Sequence, residues 1–333
     1  MVPFSLVALL IVLYIILIGP VDYLLVKKVL RRMEWTWITF PAIVIGVSVA
    51  GYALAYWLKG SQLRVNQVDV VDVDVAGGQV RGSTWLSMFS PRTQTYDLTV
   101  RPRQWDGQPA EDAEVLFSWL GLPGDALGGM GSTGGGLSMF DGYNFAPSLD
   151  RVQDMPVQVW STKSLTARWS FPAASPVTGS LERTGDGKLR GTLTSRMETP
   201  LRNATIVYGS SVYRLGTIGH GDEITVDPTN RTDESIREFN AAGDAVSRAI
   251  REMMFHDLAG GDRPERPINR YQHFIDFSGK LSGGRTGEAI LVAESPAASG
   301  GTAQLLDGEQ VLDGGGGHGT IYRFVFPVQP AED

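Results

Sequence analysis

No cysteine occurs among the 333 residues of this chain. That excludes disulfides, thiolate metal sites and a cysteine nucleophile. Histidine is scarce: His220, His256, His273 and His318 are the whole supply. None forms His-x-x-x-His or joins a nearby carboxylate in a metal-binding pattern. No G-x-S-x-G elbow and no phosphate-binding P-loop is present, so no nucleophile is nominated. Gly129-Met130-Gly131-Ser132-Thr133-Gly134 fits G-x-G-x-x-G letter by letter. It lies in a glycine tract without the strand before and helix after that a dinucleotide fingerprint needs. The net charge of −7 lacks the basic footprint of a nucleic-acid binder. The expectation is therefore no catalytic residues, no cofactor and no metal.

Charge is also absent from two long runs. Val2 to Val21 and Trp37 to Leu58 carry no charged side chain. A bilayer core about 30 Å thick needs about 20 apolar helical residues, so residues 1–60 are expected to form a two-helix transmembrane hairpin. A signal peptide would place basic residues before its apolar core. Here they follow it: Lys27, Lys28, Arg31 and Arg32. Short basic loops stay cytoplasmic, which puts the turn inside and both the N-terminus and everything after Lys59 outside. Trp35 and Trp37 begin the second span, and Tyr56 and Trp57 end it. Amphipathic rings favour that interfacial depth.

Asp22 follows Gly19-Pro20 at the end of the first run. An intramembrane carboxylate is a candidate functional site; its place near the basic turn favours an interfacial pairing with Lys or Arg instead. Ala42, Gly46 and Ala50 recur every fourth residue, a spacing that lets helices approach closely. Packing within the hairpin is the simpler reading and contact with a second membrane subunit the sharper one.

The remainder reads as mainly β. Residues 61–168 are expected to form a first β-rich domain with a Gly/Pro-rich insertion at 101–156. Residues 169–333 are expected to form a second, β-sandwich domain carrying a helix at 233–258. Leu63, Val65, Val68 and Val70, then Val71, Val73 and Val75, alternate with a change of phase at Val70-Val71, which suggests a bulge or a shared edge. Asp69, Asp72 and Asp74 read as a solvated strand face. Gly77-Gly78 and Gly185-Asp186-Gly187 mark hairpins. Close-spaced short strands from Val177 onward predict a sandwich. Thr232 caps a helix whose stripe is Ile236, Phe239, Val246, Ile250 and Met253; packing on a sheet face accounts for it. Trp85, Trp105, Trp119, Trp160 and Trp169 read as core or, alternatively, as a carbohydrate-stacking surface.

Several of these stretches carry a resemblance. Tyr14 to Leu30, with Gly19-Pro20-Val21-Asp22-Tyr23, then Trp35 to Pro41, Val65-Asn66-Gln67 and Phe89-Ser90-Pro91, resemble a pattern in uncharacterised bacterial membrane-anchored β-sandwich proteins. Gly191 to Thr194, Pro200-Leu201, Val207-Tyr208-Gly209 and Leu215-Gly216 resemble the exported sandwich of such proteins. In longer relatives an exported α/β domain, sometimes glutamine-amidotransferase-like, precedes the first helix, whereas this chain starts at that helix. The resemblance implies no catalytic residues. The expected role is an extracytoplasmic scaffold or interaction protein of the bacterial envelope, with the lipid bilayer and a protein as partners and an accessory part in a transport or assembly complex. A carbohydrate or cell-wall binding module and a hydrolase with an unrecognised site are the rivals.

Overall fold

The structure is a computed structural model. It describes residues 4–30, 33–59, 62–119, 144–209, 211–232, 287–296, 302–312 and 314–330. The expected helix at 233–258, the glycine tract, His256, His273, Arg31 and Arg32 lie outside the described residues. The chain divides into two units, Met1–Gln62 and Leu63–Asp333.

The first unit is helical. Helix α1 (Phe4–Ile16) has 13 residues, a rise of about 20 Å. The apolar run continues as a wider π-helical stretch, Leu17–Val21, that contains Pro20. Proline removes a backbone donor and crowds the preceding turn, which is a physical reason for the regular α winding to stop there. One α turn, α2 (Asp22–Leu24), and a second π stretch, Leu25–Leu30, follow. After a 3-10 turn at Met33–Trp35 comes α3 (Thr36–Lys59), which runs beside Leu17–Val21 and α2. Among the described residues one helix, α3, is long and apolar enough to cross a membrane, over Thr36–Ala53.

The second unit is mainly β. In chain order its strands are β1 (Arg64–Asp74), β2 (Gln79–Ser90), β3 (Gln94–Pro102), β4 (Glu114–Trp119), β5 (Asn144–Phe145), β6 (Arg151–Val157), β7 (Ser161–Pro172), β8 (Val177–Arg183) and β9 (Leu189–Ser195). They continue with β10 (Leu201–Tyr208), β11 (Ser211–Ile218), β12 (Glu223–Val226), β13 (Arg231–Thr232), β14 (Glu288–Pro296), β15 (Ala303–Asp307), β16 (Gln310–Val311) and β17 (Gly315–Gln329). The large sheet runs β13-β11-β10-β14-β17-β1-β2-β7-β4, and β8, β9 and β12 join it where β8 pairs with the far end of β17. A second sheet runs β16-β15-β3-β6-β5.

Strand alternation sorts the large sheet into two faces. Val71 and Val73 of β1, Leu165 of β7 and Phe324 of β17 share one core with Leu98 of β3 and Val152 of β6 in the second sheet. The expected domain boundary at 168/169 falls inside β7, which pairs with β2 and β4. The parallel pairing of β1 with β17 ties the start of the unit to its end.

Two expectations are corrected. The Gly/Pro-rich stretch expected as an insertion at 101–156 contains strands of both sheets: β4, β5 and most of β6. The expected bulge at Val70-Val71 is absent, because β1 pairs with β2 without interruption from Arg64 to Asp74. Val65, Gln67, Asp69, Val71 and Val73 are all buried on one face. The break seen in the hydrophobic pattern is two polar residues standing at core positions.

Candidate functional site

Those two residues found a buried polar network. Asp69 is fully buried. Thr84 sits opposite it on β2, and Gln67 precedes it by two residues on the same face. Gln67 Nε2 donates to both carboxylate oxygens, at 3.1 and 2.9 Å, and to the Ala303 carbonyl of β15 at 2.8 Å. It thereby bridges the two sheets. Trp169 Nε1 donates to Thr84 Oγ1 at 3.0 Å, so the threonine hydrogen is left to donate to Asp69 Oδ1 at 2.6 Å. His318, at the start of β17, places Nε2 2.7 Å from Asp69 Oδ2. An ionised carboxylate only accepts, which assigns the ring hydrogen to Nε2.

Asp69 thus receives three donors from three strands. That arrangement satisfies a buried charge, which would otherwise be expensive. The network reaches the surface through the imidazole, whose side chain is 18% exposed. Tyr322 lies on the same face of β17. Burial, and secondarily the charge of Asp69, push its hydroxyl above the usual phenol range. Its ring stacks on Phe324 at 5.9 Å and meets Trp105 at 6.2 Å. Chemically the dyad holds a proton between imidazole and carboxylate. Among the described residues no hydroxyl bonds the other nitrogen of His318.

The three aspartates expected on a solvated face have three different roles. Asp69 is the hub just described. Asp72 faces the other side of the sheet and holds Arg323, which is fully buried, through two bonds: Nη2 to Oδ2 at 2.6 Å, and Nε to Oδ1. Asp74 is exposed and caps the β1–β2 turn, accepting from the Ala76 and Gly77 backbone at 3.1 and 2.8 Å. The polar residues at core parity and the lone histidine in a glycine run were the available sequence signals. Their partner strands are some 250 residues apart, so nothing local joined them.

Of the five tryptophans, Trp169 is buried, stacks on Phe171 at 5.8 Å and lies over Gly82. A Cβ at Gly82 would come 2.0 Å from the Trp169 ring, so the close approach requires glycine. Trp105 is half-buried and donates to the Ala174 carbonyl at 2.8 Å. Trp85 and Trp160 are half-buried as well. Trp119, 40% exposed, lines a cavity of about 370 Å³ beside Leu116, Phe145, Leu149, Thr166 and Arg168.

In the helical unit, Trp35 and Trp37 are exposed, Trp37 at 87%. Tyr56 and Trp57 fall in the last turns of α3, with side chains outside the described residues. Lys27 donates to the Tyr23 hydroxyl at 3.0 Å and sits over its ring; Lys28 is exposed. Asp22 is buried, and its Oδ1 has no hydrogen-bond partner among the described residues. Neither Lys27 nor Lys28 pairs with it. Ala42, Gly46 and Ala50 share an exposed face of α3, and a Cβ at Gly46 would meet nothing within 4 Å.

Comparison with known proteins adds little. A family described as a domain of unknown function (DUF8725) matches residues 176–295, β8 to β14. No curated protein matches. The yeast delta-COP-I mu-homology domain is similar at 9% identity, over 80% of this chain and 98% of that one, with a TM-score of 0.28. The same domain complexed with Dsl1 WxWxV peptide gives 8% identity, the same coverage and a TM-score of 0.29. Scores this low carry no argument.

Proposed function

We propose that this chain is a membrane-anchored, extracytoplasmic scaffold or interaction protein of the bacterial envelope. Residues 1–60 act as a two-helix transmembrane hairpin with its basic turn in the cytoplasm, and the β unit is a sandwich-like body outside. The carrying observation is the outward apolar surface of the helical unit. Ile11, Ile15, Ile38, Ile45, Val49 and Tyr52 are all more than half exposed. In water such a surface would associate or aggregate, and lipid is its natural solvent. The absence of cysteine and the resemblance described above support a bacterial source. Asp22 supports a membrane partner, since its buried Oδ1 has no donor among the described residues, a costly state that a polar group from another chain would relieve.

The test exploits the cysteine-free chain. Single cysteines are introduced at exposed positions, Glu34→Cys in the turn and Ser180→Cys in β8. Intact cells are then treated with a membrane-impermeant maleimide. Labelling at 180, with 34 reacting only after permeabilisation, is the expected result. The reverse pattern overturns the orientation. Labelling of both in a soluble fraction overturns the anchor. Purification in mild detergent should also enrich a membrane or envelope protein, and recovery of the bare monomer alone would count against the scaffold role.

A second reading is carbohydrate binding at the Trp119 cavity. An exposed indole offers a stacking face for a sugar ring, and Thr166 and Arg168 stand beside it. Retention on peptidoglycan or immobilised glycans, lost in Trp119→Ala, would favour it. No retention by the wild type removes it.

A further inference from the structure

We propose that β1 and β17 form a mechanical clamp that keeps the β unit folded when its N-terminal end is pulled. The source of the pull rests on the anchor reading above; the clamp itself is argued from the strands.

Strand β1 starts at Arg64, five residues after α3 ends at Lys59. Tension carried along the backbone from the helical unit therefore enters the β unit at the first residue of β1. This strand is internal to the large sheet. It pairs antiparallel with β2 from Arg64 to Asp74 and parallel with β17 from Val65 to Asp74, in regular register from Gln67 onward after an irregularity between Val65 and Gln67. A pull on its N-terminal end acts along the strands. The ladder bonds on both sides are then strained sideways together. An edge strand lifted from its end would instead lose them one after another.

Side chains reinforce the same pair. Among the described residues three on β1 bond across to β17. Asn66 Oδ1 accepts from the Gly317 backbone at 2.9 Å, Asp69 takes His318 at 2.7 Å, and Asp72 takes Arg323 through two bonds. The positions 66, 69 and 72 are three apart, so successive ties fall on alternate faces of the sheet. Asp69 and Arg323 are fully buried, which shields two of the three from competition by water and salt. The strands also meet closely. A Cβ at Gly316 would lie 2.0 Å from the Val65 carbonyl oxygen, so glycine is required at the mouth of the clamp.

The test is force spectroscopy at constant load on the full chain held in nanodiscs. One geometry grips Gln62→Cys and a C-terminal tag, which loads β1 against β17. The other grips Gln153→Cys and Glu309→Cys and loads the second sheet; all three positions are exposed. The wild-type lifetime under load is expected to be longer in the first geometry. Asp72→Asn should shorten it roughly tenfold there, forced unfolding being governed by the unfolding rate. The milder Asn66→Ala should act in the same direction. Both should leave the second geometry unchanged.

Equal wild-type lifetimes in the two geometries overturn the proposal. So does shortening by the same factor in both, which would mean that these residues merely stabilise the fold. If Asp72→Asn does not fold, Asn66→Ala and the wild-type comparison still decide. Failure of the anchor reading shows separately, in the maleimide pattern, and does not alter the force result.

Discussion

Thr84→Val isolates the buried network from simple packing. Valine nearly matches threonine in shape but lacks its hydroxyl. In the native chain that hydroxyl both donates to Asp69 at 2.6 Å and accepts from Trp169 Nε1 at 3.0 Å. Losing a bond to a charged acceptor costs about 1.5–3 kcal/mol, and leaving the buried indole N–H unpaired costs about 1–3 more. The expected total is roughly 3–5 kcal/mol. Thr84→Ser keeps the hydroxyl and loses one methyl, at about 1 kcal/mol. The assay is urea unfolding of the detergent-solubilised chain, followed by tryptophan fluorescence. With a denaturant slope of about 3 kcal/mol per molar, Thr84→Val should unfold about 1 M of urea earlier than Thr84→Ser. If the two midpoints coincide within roughly 0.2 M, the hydroxyl relay contributes nothing. Thr84 would then not be one of the donors that hold Asp69.

Three further outcomes are expected. Gly82→Ala places a methyl in the Trp169 ring and should destabilise by at least about 2 kcal/mol through forced displacement of a core indole. A change in near-ultraviolet circular dichroism would report that displacement, and an unchanged spectrum and melting point would contradict the close approach. Asp186, hydrogen-bonded by Lys188 and then by Thr184, has its pKa lowered from the usual 3.8 to about 2. Its folded value lies below the unfolded one, so its contribution is present above about 3.8 and is lost as pH falls through about 2. An NMR titration should find the low midpoint, and Lys188→Ala should return it towards 3.8. Gly316→Ala should loosen the β1–β17 start; faster amide exchange at Val65 and Gly317 than at Val73 would show it, and uniform protection would count against it.

Much of the β unit could be read from local pattern. The hairpin of β8 and β9 follows from Gly185-Asp186-Gly187, and the close-spaced short strands expected from Val177 onward include β8 to β12. What escaped has identifiable causes. Strand β4 is an edge strand whose alternation is weak, with Leu116 exposed and Phe117 buried, and a surrounding excess of Gly and Pro masked it. The β1–β17 pairing is non-local, and no turn signal announces a parallel neighbour. The Asp69 site was legible only as an apparent phase break, because periodicity assumes that polar residues face water. In the helical unit, length and apolarity foretold α3, while the widening around Pro20 depends on how a particular helix accommodates a missing donor.

The position of β17 also has a consequence for the order of synthesis. It is the strand that joins β14 on one side to β1 on the other. A chain emerging from the ribosome can pair β1 with β2, β2 with β7 and β7 with β4 early. It can pair β10 with β11 and with β14 later. Until the fifteen residues of β17 arrive, these remain two half-sheets, each showing an open edge, and unfinished edges invite pairing with other chains. Among the described strands, a chain cut short before Gly315 would leave β1 and β14 both without the neighbour that joins them.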